Sequence, residues 1–151
     1  HLHRLVAAPK HHLADPALAA RLVGVDAGAL LRGEGPTLIR RDGSFLGALF
    51  ESLATLSVRV FAQAGEARVS HFRTKGGDRE VDLIVARGDQ RVVGIEVKLS
   101  ETVGDQDVRH LVWLREKVGE DLADAVVVTT GRYAYRRPDG IGVVPLALLG
   151  P

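Results

Sequence analysis

Two short stretches carry the residue types that can do chemistry: Arg79-Glu80-Val81-Asp82-Leu83-Ile84-Val85 and Gly94-Ile95-Glu96-Val97-Lys98-Leu99. Both alternate in a period of two, so each reads as a β-strand. In the second, Ile95, Val97 and Leu99 share one face, and Glu96 and Lys98 share the other. In the first, Val81, Leu83 and Val85 share a face, with Glu80, Asp82 and Ile84 opposite. Gly88-Asp89-Gln90 is a hairpin loop between them. If those three residues turn the chain, Arg87 faces Arg91, and counting back sets Asp82 opposite Glu96 and Glu80 opposite Lys98. Glu80 with Lys98 is an ordinary opposite-charge pair. Two carboxylates facing each other across strands are destabilising, and that placement needs a reason.

A hard divalent cation supplies one. Paired carboxylates are the usual protein contribution to a Mg²⁺ site, with water and phosphate oxygens completing the shell. Such an ion activates a bound water and neutralises charge building on a phosphate. Lys98 can hold or help deprotonate that water and can stabilise a phosphorane-like transition state. Taken alone, Glu-x-Lys on a half-exposed strand is most often a solvated face. Asp82 in opposing register and Glu51 on a preceding helix shift the balance toward a site.

The surrounding elements follow from periodicity and caps. Residues 1–41 read as a helical segment. Asp15 caps a helix with Pro16 at its first position, Leu18, Ala19, Leu22 and Val23 recur at helical spacing, and Gly24 ends it. Asp26 caps a second short helix through Leu31, and Gly33-Glu34-Gly35-Pro36 reads as a loop. Residues 42–151 form the second unit. Ser44 caps a longer helix whose stripe is Leu46, Leu49, Phe50, Leu53 and Leu56, with Glu51 beside it. From Val58 the period changes to two. Strands are expected over 57–61, 67–73, 80–87 and 91–99, with turns at Gly65 and Gly76-Gly77. A helix over 106–118, a buried strand over 125–130, a loop over 131–140 and a last strand over 141–146 complete the chain. The implied fold class is α/β, a mixed central sheet flanked by helices, with a helical N-terminal segment.

Bulk properties narrow the partners. The chain has 151 residues, no cysteine, no methionine and a formal net charge of +1. Disulfides and thiolate metal sites are excluded, a reducing, cytoplasmic setting is expected, and any nucleic-acid binding must come from a local patch. No apolar run long enough for a membrane span and no signal peptide is read. With no methionine in the sequence, position 1 is expected to be an internal residue of a longer protein.

The order of Glu51 on a helix, Asp82, then Glu96-Val97-Lys98 on the next strand, then a helix, resembles the PD-(D/E)XK, restriction-endonuclease-like nuclease superfamily, which includes archaeal Holliday-junction resolvases. A narrower likeness spans most of the chain. Pro9-Lys10, Ala14-Asp15-Pro16-Ala17-Leu18-Ala19, Gly47-Ala48-Leu49-Phe50-Glu51, Phe72-Arg73-Thr74-Lys75, Glu80-Val81-Asp82 and Ile95-Glu96-Val97-Lys98-Leu99 look like the C-terminal domain of unknown function of bacterial and archaeal AAA-type ATPases. The resemblance implies a restriction-endonuclease-like sheet, Asp82 and Glu96 as ligands of Mg²⁺ or Mn²⁺, the Val97 backbone carbonyl in the same coordination sphere, Lys98 as the catalytic lysine, and Glu51 completing the acidic cluster. It implies DNA as substrate and an N-terminal ATPase domain of the same parent chain as partner. No phosphate-cradling G-x-x-x-x-G-K-[S/T] occurs here, so ATP is not a ligand of this stretch. The alternative is a catalytically silent module that binds nucleic acid or protein and regulates the ATPase. Leu83 stands where the family often has an aromatic residue, and a packing change is expected.

Other features have a bland reading beside the functional one. Arg132, Tyr133, Tyr135, Arg136 and Arg137 can grip phosphates and stack on bases, or form a solvated loop. Gln106, at the start of the helix after Lys98, is a candidate to touch the site. His1, His3 and the His11-His12 pair lack the spacing of a zinc site. Ser44, Ser52 and Ser57 have no catalytic setting. Trp113 lies in an apolar stripe with Val108, Leu111, Val112 and Leu114, so core or interface packing is its default. Apolar stripes in the helical segment predict a docking surface or self-association into a homo-oligomer.

Overall fold

The structure is a computed structural model that describes residues 12, 14–32 and 44–150. Expectations placed on His1, His3, Pro9, Lys10, His11, the 33–36 loop and the side chain of Ser44 lie outside the described residues.

The two N-terminal helices form where their caps place them. In α1 (Pro16–Leu22) the Asp15 carboxylate accepts the Ala17 N–H at 2.8 Å, and Gly24 follows with φ +73°. That left-handed residue satisfies the helix end at low cost because glycine has no Cβ. In α2 (Ala27–Arg32) Asp26 accepts the Ala29 N–H at 2.8 Å.

The next helix differs from the expectation. The strand over 57–61 does not exist; those residues continue α3 (Ser44–Ala64). Val58 and Val60 look strand-like locally, but β-branched residues lose only a little helix propensity, and packing overrides it. Ala54, Thr55, Val58 and Ala62 are buried. They are spaced by three and four and form the face that lies on the sheet. The leucine stripe points elsewhere: Leu53 and Leu56 are exposed and border, with Leu46 and Phe50, an apolar groove of about 590 Å³ against α1 and α2. Read unbroken, α3 is long and apolar enough to cross a membrane by length and composition. This corrects the expectation that no such run is present, and the reason is that the assumed strand had cut it short.

Six strands follow: β1 (Arg68–Arg73), β2 (Glu80–Ala86), β3 (Val92–Val97), β4 (Leu122–Thr129), β5 (Tyr135–Arg136) and β6 (Gly142–Pro145), with α4 (Asp105–Val118) between β3 and β4. Their order in one sheet is β1-β2-β3-β4-β6-β5. The β1–β2, β2–β3 and β5–β6 pairs are antiparallel, and β3–β4 and β4–β6 are parallel. The protein is therefore α/β with a mixed sheet and a helical N-terminal segment. Residues 135–136, expected to be loop, are a strand too short to show alternation in sequence.

Two apolar cores flank the sheet. On one face Val108, Leu111 and Leu114 of α4 meet Phe72, Val81, Ile84, Val127 and Ile141. On the other Ala54 and Val58 of α3 meet Leu83, Ile95, Val97 and Val128. Leu83 is core, as expected, and Trp113 packs on Phe72 with ring centroids 5.4 Å apart.

Gly94 sits beneath α4. A Cβ there would lie 2.6 Å from Leu114 Cδ2 and 3.2 Å from Leu111 Cδ2, both side chains fully buried. Overpacking a filled core costs about 1–3 kcal/mol. Gly94→Ala is expected to lower stability by that amount, read as a drop in the denaturant midpoint at unchanged slope.

Candidate functional site

The hairpin register holds as counted from its turn. Arg87 N–H donates to the Arg91 carbonyl, and Val85↔Val93 and Leu83↔Ile95 are paired. The next hydrogen-bonded pair in that series would be Val81 with Val97. It is replaced: the Val97 N–H donates to Asp82 Oδ2 at 2.9 Å. The strands part here, and the Asp82 carboxylate fills the gap in the plane of the sheet.

The parting has a local cause. Along β1 the partners step from Ser70 to Phe72 while those on β2 step from Ile84 to Val81. One residue on β1, His71, opposes two on β2, a β-bulge at Asp82-Leu83 that re-aims side chains. This corrects the face assignment made from alternation. Val81 joins Ile84 on the α4 side, and Leu83 joins Val85 on the α3 side. It also ends the counting rule. Glu80, expected opposite Lys98, has Arg73 Nε 3.7 Å from its Oε2, while Lys98 turns to Glu96.

Glu96 is the centre of the arrangement. It is 3 % exposed, its Oε2 lies 3.0 Å from Lys98 Nζ, and its Oε1 is buried with no hydrogen-bond partner. Burial, and then the negative charge of Asp82, raise its pKa to about 8 against the opposing pull of Lys98. The Lys98 ammonium is raised too: burial works against it, but Glu96, with Asp82 and Asp107 behind, favours the charged form. Asp82 and Glu96 thus lie on adjacent antiparallel strands, and the charge of Asp82 acts on Glu96.

Val97 presents its backbone to the same gap. Lys98 N–H donates to the Val128 carbonyl on the β4 side. Alternate residues of a strand direct their amide and carbonyl to opposite neighbours, so the Val97 carbonyl turns with its N–H toward β2.

His110 was not picked out from the sequence. Its Nδ1 donates to the Glu80 carbonyl at 2.6 Å and lies 3.9 Å from Glu96 Oε1, while Arg109 Nε donates to its Nε2 at 3.0 Å. The signal was its place one turn beyond Gln106 on α4. Gln106 itself is exposed and accepts from Arg109 Nη1 at 3.2 Å. Asp107, which caps α4 by accepting the Gly104 N–H at 2.9 Å, acts electrostatically on Lys98.

Glu51 is half-buried on α3, one turn before Thr55. Among the described residues no group of three or more acids or histidines is gathered for a metal ion, so Glu51 is not joined to the Asp82–Glu96 pair in such a cage. His12, beside Ser52 at 3.0 Å, likewise belongs to no such group.

The Arg/Tyr segment divides. Arg136 makes a twin contact to Asp124, 2.9 Å to each carboxylate oxygen, and holds that carboxyl below its ordinary range. Arg137 reaches Asp105 at 2.6 Å, Asp139 at 3.0 Å and the Val103 carbonyl at 2.8 Å. It ties the β5–β6 connection to the start of α4. Arg132, Tyr133 and Tyr135 are exposed.

The donor set fits a hard cation. Two carboxylates, one of them with an unpartnered buried oxygen, lie where two strands part, and the Val97 carbonyl is directed toward β2; oxygen ligands suit Mg²⁺ or Mn²⁺.

Residues 46–149 match the model of a family described as Domain of unknown function (DUF4143). No curated protein matches the chain.

Proposed function

The chain belongs to the DUF4143 family, and we propose that its Asp82–Glu96–Lys98 cluster is a nuclease-like centre acting on DNA phosphodiesters with Mg²⁺ or Mn²⁺. The observation that carries this reading is Glu96: buried carboxylates are kept where they pair or coordinate, and this one has an oxygen without a partner. Its setting, on the strand after a bulged Asp82 and two residues before Lys98, resembles the PD-(D/E)XK superfamily, as does the run α3-β1-β2-β3-α4-β4.

In this reading Asp82, Glu96 and the Val97 carbonyl hold the cation. When bound, the ion lowers the pKa of water and offsets charge on the phosphate. Asp82 is fixed for its part by the Val97 N–H. Lys98 is held by Glu96, and its half-open side chain keeps donors for a water or a phosphate oxygen at the mouth of the gap. His110 braces β2 through the Glu80 carbonyl beside Glu96. We place the activity in the cytoplasm, next to an ATPase domain of the same parent chain.

A second reading is a silent module that regulates that ATPase. It is favoured by the absence, among the described residues, of a group of three or more acids and histidines placed to hold a metal ion. Cleavage of linear, nicked and four-way DNA in Mg²⁺ or Mn²⁺, with Asp82→Ala as control, decides between them. Cleavage is expected for the wild type and not the variant. Millimolar divalent cation should also raise the wild-type melting point, by about 2.7 kcal/mol of stability at a hundredfold excess over the dissociation constant, and leave Asp82→Ala unmoved. DNA binding without cutting, and without a divalent response, would favour the module.

A further inference from the structure

A second polar feature adjoins Asp82, on the α3 side of the sheet. A pocket of about 40 Å³ is lined by His12, Thr55, Arg59, Ser70, His71 and Asp82. Thr55 is 4 % exposed, and its Oγ1 is buried without a hydrogen-bond partner. A threonine within a helix ordinarily satisfies itself on the carbonyl four residues back. Ser57, on the same helix, does this with Leu53 at 2.9 Å. The Thr55 hydroxyl instead makes no hydrogen bond, and Thr55 is part of the pocket wall. Arg59, one turn along α3, brings a permanent positive charge to the same wall, and the two imidazoles and Ser70 add polar atoms. The volume admits an oxygen atom or a water but no base or sugar.

We propose that this pocket receives an oxygen of a DNA backbone phosphate, the one neighbouring the phosphate at Asp82 and Glu96, with Arg59 and Thr55 as positioning residues. The proposal rests on the nuclease-like reading for its choice of ligand. An anion is the ligand that matches a guanidinium and an unpartnered hydroxyl in so small a space. The Asp82 carboxylate on the opposite wall repels an anion, so the pocket binds phosphate only while Arg59 is present. Arg59 is exposed on α3, and its loss leaves the core intact.

Binding of labelled duplex DNA, measured with Ca²⁺ in place of Mg²⁺ over a salt series, tests this apart from cutting. Arg59→Ala is expected to weaken binding about tenfold or more at low salt and to reduce the slope of log affinity on log salt by about one. Arg59→Lys should keep the slope and recover part of the affinity. Thr55→Val should weaken binding while melting higher than wild type, since an unsatisfied buried hydroxyl is replaced by a methyl. Wild-type affinity in both Arg59→Ala and Thr55→Val would overturn the proposal, as would a wild type that binds no DNA. Stabilisation by inorganic phosphate with no DNA binding would overturn it in favour of a free-anion site. If the wild type binds, the variants lose affinity and nothing is cut in Mg²⁺, the pocket stands and the nuclease-like reading fails. If the wild type cuts and the variants bind unchanged, the reverse holds.

Discussion

Replacing Lys98 with alanine is expected to lower divalent-dependent DNA cleavage by about 10²–10⁴-fold, the range ascribed to a positioned acid–base group or a charge at the transition state. Lys98 Nζ lies 3.0 Å from Glu96 Oε2, and the lysine is held charged by Glu96, Asp82 and Asp107. Lys98→Arg keeps the charge but substitutes a planar group that cannot give up its proton. It is expected to recover less than a tenth of the wild-type rate. Single-turnover rates on saturating DNA measure both, with circular dichroism melts to show that each variant is folded. A Lys98→Ala enzyme cutting at the wild-type rate would remove Lys98 from the chemistry.

The second large effect is on stability, and its sign follows from Glu96. The folded-state pKa of about 8 lies above the ordinary 4.5. A group raised in this way contributes stability that is complete below the unfolded pKa and is lost as pH rises through the folded one. In the presence of a chelator, the wild type should therefore lose stability relative to Glu96→Gln between about pH 5 and pH 9. The loss approaches 1.4 kcal/mol per pH unit within the window and totals on the order of 3–5 kcal/mol. Denaturant titrations at several pH values read the difference directly, and other titrating groups cancel between the two proteins. Mg²⁺ at pH 8 should restore the wild type and leave Glu96→Gln unchanged. A flat difference across the pH range would mean that Glu96 is not held in a proton-retaining environment.

Much of this arrangement was legible in the residues because it depends on short-range rules. Asp15 and Asp26 cap helices through hydrogen bonds two and three residues away, which the local sequence contains in full. The turn over 88–90 sets the β2–β3 register, since loop length and face parity leave one pairing, and from it came the Asp82–Glu96 approach. Hydrophobic alternation was enough for the mixed α/β class and for the burial of Leu83.

What only the tertiary structure decided depends on chain segments that meet from afar. The helical state of 57–61 is imposed by the sheet, which takes Ala54, Val58 and Ala62 on one face of α3 and overrides the strand preference of two valines. The bulge at Asp82-Leu83 exists only against β1, as an unequal count of residues that neither strand shows alone. That bulge turned Val81 over, detached Glu80 from Lys98 and aimed Asp82 at the Val97 amide. His110 and Arg137 acquired their positions from α4 crossing the sheet and from the β5–β6 connection folding onto its start. Alternation and capping are properties of neighbours in sequence. Burial of Glu96, and the partner its Oε1 lacks, are properties of everything packed around it.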